Sequence, residues 1–204
     1  MDNVSLSTEN FEQKFAPDNA QIVSFLISIQ FIGFFFWGGF RTIFPFILTN
    51  LGYSSQEIAS DWAVVFTIAL FTGGFLTRIP MGIVSDKLSR KQGLLFGTSL
   101  SLLSIFLMGF SSNIVVLGIL LALLRTGTHI FPLTTRGYSN ETNPKKQSKL
   151  NGYVLIGTDI ASFVGPILLG LFLEVSLQTL IIFSCSVLLL VSLVLNKLVK
   201  VQNN

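Results

Sequence analysis

Long apolar runs, broken by short polar stretches, set the limits on what this chain can fold into. A helix needs about 20 mostly apolar residues to cross the roughly 30 Å of hydrocarbon in a bilayer. Six stretches meet that test: residues 21–48, 58–79, 92–110, 114–135, 150–173 and 177–197. They are long and continuous rather than alternating segments of about ten residues, so the pattern is not that of a membrane β-barrel. Half of the 204 residues are hydrophobic and 11% are charged, against about 25% charged in an average soluble domain. The expectation is an all-α membrane protein with six transmembrane helices over residues 21–197. A polar N-terminal tail (1–20) and a short C-terminal tail (198–204) flank them.

Lysine and arginine orient those helices. The connections 49–57, 111–113 and 174–176 carry neither residue, whereas the other connections hold Lys87, Arg90, Lys91, Arg136, Lys145, Lys146 and Lys149. Lys197 and Lys200 lie at the C-terminal end. Positive charge stays on the cytoplasmic side, which places both termini in the cytoplasm of a multi-pass protein of the cell membrane. The first twenty residues lack the basic start and apolar core of a signal peptide. A net charge of +3 is too small to be a nucleic-acid footprint. The single Cys185 and single His129 leave no basis for a disulfide, a metal cluster or a cofactor site.

Glycine and proline recur inside the apolar runs, among them Pro45, Gly73, Gly74, Pro132, Gly165, Pro166 and Gly170. Small residues let membrane helices approach closely, and neighbours satisfy a proline-broken backbone. Two readings stand: tight packing, or hinges and cavity lining in a protein that moves. Ile43-Phe44-Pro45 followed by Gly52-Tyr53 is echoed by Ile130-Phe131-Pro132 followed by Gly137-Tyr138. One copy ends an outward-running helix and the other an inward-running one, the placement expected of a three-plus-three inverted repeat, as in transporter folds.

Between the second and third runs lies Gly82-Ile83-Val84-Ser85-Asp86-Lys87-Leu88-Ser89-Arg90-Lys91. Gly82, Asp86, Lys87, Arg90 and Lys91 match, in order and spacing, the motif that the major facilitator superfamily carries in its first cytoplasmic loop. Ser89 replaces that motif's second glycine. The chain therefore resembles the major facilitator superfamily. Arg125 resembles the arginine that its proton-coupled members carry in the fourth helix, though Gly127 and His129 depart from the residues that follow. Gly152, Gly165-Pro166 and Gly170 resemble the fifth-helix motif of drug–proton antiporters, with Ala161 and Leu169 replacing two glycines. The resemblance implies a transporter with two six-helix bundles around a substrate, of which this chain carries the N-terminal one. The second bundle is then another copy of the chain or a separately encoded C-terminal half. In the family the motif's aspartate reaches the second bundle; here Asp86 meets Arg136, Arg90, a partner chain or solvent.

Charges inside the runs need a reason, since Arg or Asp at a helix centre costs about 2.5–3.5 kcal/mol on insertion scales. Counted from the helix starts, Arg125 and Asp159 fall at similar depth, so an ion pair between them is the expected proton-coupling site. A permanent structural pair, or an Asp159 facing a watery cavity, is the alternative. Arg41 and Asp61 lie toward the outer side, as an outer gate or as an interfacial helix start. His129 follows Arg125 by one turn and shares its face, as a relay or as a hydrogen-bonded structural residue. Phe31, Phe34, Phe35, Phe36 and Trp37 suit an apolar or aromatic substrate if they line a cavity, and lipid contact otherwise. Nothing resembles a serine-protease elbow, an aspartyl dyad, a nucleotide loop or a metal site, so an enzyme is not expected. The function read from the sequence is secondary transport of a small organic solute, as proton-coupled efflux by alternating access. The competing reading is a non-transporting scaffold, a receptor or an inactive remnant.

Overall fold

The computed structural model describes residues 19–87, 90–142 and 147–200, which are helical apart from short turns. Helix α1 runs Asn19–Asn50. The second span is assembled from α2 (Ser55–Glu57), α3 (Ala63–Leu70) and α4 (Arg78–Lys87), with wider π-helical segments at Ile58–Trp62 and Phe71–Leu76. Then follow α5 (Arg90–Met108), α6 (Ile114–Thr142), α7 (Gln147–Val175) and α8 (Leu177–Lys200). Among the described residues, five segments are long and apolar enough to cross a membrane: Ile27–Asn50, Ser55–Ile83, Ile114–Thr134, Val154–Val175 and Leu177–Val194. The third expected span is a shorter apolar stretch, Gln92–Met108. It stops before residue 110 because Gly109 and Phe110 turn back, their N–H groups donating to the carbonyls of Phe106 and Leu107 at 3.1 Å.

Other boundaries move for equally local reasons. The second span starts at Ser55 rather than 58 because Ser54 and Glu57 form a capping box. The Glu57 carboxylate accepts from the Ser54 N–H at 2.8 Å, and the Ser54 hydroxyl accepts from the Glu57 N–H at 3.3 Å. α6 continues past 135 to Thr142, and α7 begins at Gln147 rather than 150. A helix satisfies its own backbone and has no need to end where the hydrocarbon does. The Gly–Tyr echo does not extend to backbone conformation. Gly52 leaves α1 at φ +92°, a left-handed conformation suited to glycine, whereas Gly137 and Tyr138 stay inside α6.

Two helices form the inside of the bundle. In α1 and α6, 56% of the most apolar window is buried, against 18–28% in the other candidate spans. α1 packs mainly along α7; α6 packs on α5 and the second span; α5 also packs on α8. Phe36, Phe40 and Phe44 of α1 are fully buried, and Phe44 stacks on Trp62 of the second span at 4.3 Å. Phe172 and Phe183 stack at 3.9 Å and tie α7 to α8. Of the aromatic cluster on α1, Phe35, Phe36 and Trp37 are buried while Phe31 and Phe34 stay half-exposed.

Lipid tails are as apolar as leucine, so close packing rather than hydrophobic exclusion drives these contacts. The α1–α7 seam illustrates this. A Cβ on Gly165 would lie 2.6 Å from the Phe35 carbonyl oxygen, and one on Gly157 would lie 2.8 Å from that of Ile27. Gly170, farther along, has looser surroundings, with Ile43 Cγ2 4.0 Å from its would-be Cβ. Pro45, Pro132 and Pro166 lie inside α1, α6 and α7 respectively. At one end of the bundle Tyr53 joins two turns: its hydroxyl donates to the Ser112 carbonyl at 2.7 Å and accepts from the Ile114 N–H at 3.0 Å.

Candidate functional site at the contact of α1 and α6

The inner helices meet around one cation. Arg125 of α6 is half-buried, and its guanidinium carbon sits 4.5 Å from the centroid of the Trp37 ring on α1. The second span contributes Gly74, whose would-be Cβ lies 3.8 Å from Arg125 Nε. Three elements therefore converge on the guanidinium. A cation over an indole face gains roughly 0.5–2 kcal/mol, more as water is excluded, which offsets part of the cost of an arginine at membrane depth. Planarity suits Arg to this stacking; the compact lysine ammonium, strongly hydrated, does not replace it.

Around Arg125, α6 turns polar. Thr126, Thr128 and His129 are buried. The hydroxyls of Thr126 and Thr128 donate within the helix, to the carbonyls of Ala122 at 2.8 Å and Arg125 at 3.0 Å. Toward the N-terminal end of α1 from Trp37, Gln30 donates through Nε2 to the Thr158 hydroxyl of α7 at 3.1 Å. Gln30 is 4% exposed and its Oε1 has no hydrogen-bond partner. Gln30 and Thr158 were not anticipated from the sequence. The signal available was a lone amide within an apolar run.

The Arg125–Asp159 pair expected from the sequence is not formed among the described residues. Asp159 is exposed on α7. At 1.5 Å per residue Arg125 lies about 16 Å from the Ile114 end of its span, while Asp159 lies about 24 Å from the Val175 end of α7. The Gln30–Thr158 hydrogen bond agrees, since it sets Asp159 level with Gln30, roughly 10 Å along α1 from Trp37. Counting both residues from their helix starts hid this offset, because the two helices run in opposite directions. Arg41 and Asp61 are both exposed, and the Asp61 carboxylate accepts from the Ser60 hydroxyl at 2.9 Å. The structure does not bring Arg41 and Asp61 together.

The charged motif at the end of the second span is partly described. Gly82 is half-buried and Lys87 exposed, both on α4. Leu88 and Ser89, and the side chains of Asp86, Arg90 and Lys91, lie outside the described residues. Among the described residues no cluster of metal-ligating side chains occurs.

A polytopic helical membrane protein with an aromatic-stacked arginine between its two innermost helices is the class that fold and site define. The chain belongs to the Major Facilitator Superfamily, a family of membrane transporters, whose match covers residues 26–202. No curated protein and no solved structure matches the chain.

Proposed function

We propose that the chain is a secondary transporter, or the N-terminal bundle of one, moving a small organic solute across the cell membrane by alternating access, with proton-coupled export as its mode. The observation that carries this is Arg125, held on Trp37 where three elements of the bundle meet. In that reading Arg125 faces the solute pathway and Asp159, an exposed carboxylate at membrane depth, takes up the proton. His129, buried one turn from Arg125, supports the polar lining. Arg41 and Asp61 serve the outer side of the pathway. Gly82, Asp86, Lys87, Arg90 and Lys91 form the switch that meets a second bundle, supplied by another copy or by a separately encoded half.

The same reading takes α5 as the remaining span, giving six helices with both termini cytoplasmic. Two features support a three-plus-three inverted repeat. Prolines sit at matching places in α1 and α6, and the packing is reciprocal: the first span lies along the fifth as the fourth lies along the second. The test is a pH-sensitive dye trapped in proteoliposomes holding the purified chain, alone or with a candidate second bundle. Solutes added one at a time move protons in the parent, and Asp159→Asn abolishes that movement. A correctly folded parent that moves no protons with any solute or partner sinks the proposal and leaves the scaffold reading. Undiminished proton flux in Asp159→Asn removes Asp159 from the mechanism.

A further inference from the structure

The second span is built differently from every other helix described. Among the described residues π-helical segments occur only there, at Ile58–Trp62 and Phe71–Leu76. Such widened turns are rare in helices and recur at functional sites. The second one has an identifiable cause. Pro80 has no N–H to give to the carbonyl four residues back, which is Leu76, and in a regular helix its ring would clash with that carbonyl. Just past it Thr77 is a single turn residue toward the edge of the right-handed helical region, φ −83°, ψ −8°, and a regular helix resumes at Arg78. Threonine hydroxyls take up main-chain acceptors around the break: Thr72 donates to the Ile68 carbonyl at 2.8 Å and Thr77 to the Gly73 carbonyl at 2.7 Å. Back-bonding of this kind bends helices.

The break touches both ends of the proposed machinery. On one side Gly73 lies so close to α6 that its would-be Cβ would be 2.5 Å from the Ala122 carbonyl oxygen, and Gly74 abuts Arg125. On the other side α4 itself carries Gly82 and Lys87 of the charged motif. Beside the break lies a cleft of about 340 Å³ between the second span and α6, lined by Ala69, Thr72, Gly73, Thr77, Gly118 and Ile119 among others. The cleft opens onto the surface of the bundle beside exposed Ile68, Val115 and Ile119.

We propose that Phe71–Thr77 is a hinge on which α4, carrying Gly82 and Lys87, swings relative to the outer half of the second span, the cleft accommodating the swing. Its motion bears on Arg125 through Gly73 and Gly74, so α4 and the α1–α6 site move as one linkage. The use of this hinge in moving a solute rests on the transporter reading; the motion itself does not.

The test places spin labels at Val64→Cys and Ile83→Cys, exposed positions on either side of the hinge, in the full chain with Cys185→Ser. The chain is held in nanodiscs and read by pulsed electron paramagnetic resonance. The hinge predicts two distance populations in the parent. Pro80→Ala with deletion of Phe75, which takes one residue out of the wide turn, leaves one narrow population. Ile119→Trp, which fills the cleft without altering the hinge residues, also leaves one, and it carries the test should the deletion variant fail to fold. A single narrow population in the parent overturns the proposal, as do two populations that persist unchanged in Ile119→Trp. Two populations in a parent that transports nothing leave the hinge standing and remove the transport reading instead.

Discussion

The seam between α1 and α7 permits a direct test of how this bundle is held together. In Gly165→Ala the new methyl group lands 2.6 Å from the Phe35 carbonyl oxygen and 3.4 Å from the Gly39 nitrogen. Both neighbours are backbone of the inner helix, so no side chain can swing aside. α7 has to move by roughly 1 Å to restore van der Waals spacing, and overpacking of this kind costs about 1–3 kcal/mol. Alanine also gains about 1 kcal/mol over glycine inside a helix. Gly152 on the same helix has open space where its Cβ would be, so Gly152→Ala receives the gain without the clash. The difference between the two variants isolates the clash at about 1–3 kcal/mol. For a chain of this size that corresponds to a gap in Tm of roughly 2–12 °C. The assay is thermal unfolding of the purified variants in one detergent, followed by the fluorescence of Trp37 and Trp62. Gly165→Ala melting together with Gly152→Ala would refute the claim that backbone contact at Gly165 holds α7 to α1.

Other expectations rest on single contacts. Tyr53→Phe loses both hydrogen bonds that join the turn after α1 to the start of α6, about 1–3 kcal/mol in total. A matching fall in Tm checks it, and an unchanged Tm denies that Tyr53 ties the turns. Ser54→Ala removes the cap of the second span and costs about 0.5–2 kcal/mol, with faster hydrogen exchange in the first turn at Ser55–Glu57. Exchange at the parent's rate contradicts the assignment. Trp37→Leu strips the ring from Arg125 and lowers Tm, while Trp37→Phe keeps a weaker aromatic face and falls between; equal Tm values for the two variants rule out a contribution from the ring face.

What could be read from the sequence divides along physical lines. Runs of apolar residues reveal spans because the bilayer acts on composition. Ser54 and Glu57 have the spacing of a capping box, inside the connection 49–57. Depth was harder. Arg125 and Asp159 each count to the middle of a run, and the observed span ends and the register fixed by Gln30 on Thr158 separate them. Contacts between distant residues, such as Tyr53 with Ser112 or Arg125 with Trp37, depend on packing that no local pattern specifies. The π segment at Phe71–Leu76 reads as an ordinary apolar stretch with two glycines. Pro80 was its one local signal, acting on a carbonyl four residues upstream.

The central claim is that solute crosses beside Arg125. It is tested most directly by solute-driven flux in proteoliposomes for the parent, Arg125→Lys and Arg125→Ala, matched for protein incorporated and for folding. The account predicts a fall of at least about tenfold in Arg125→Ala, the equivalent of roughly 1.4 kcal/mol. Arg125→Lys should be impaired as well, because lysine keeps the charge but loses the planar stack on Trp37. Parent-level flux in Arg125→Ala would contradict the account.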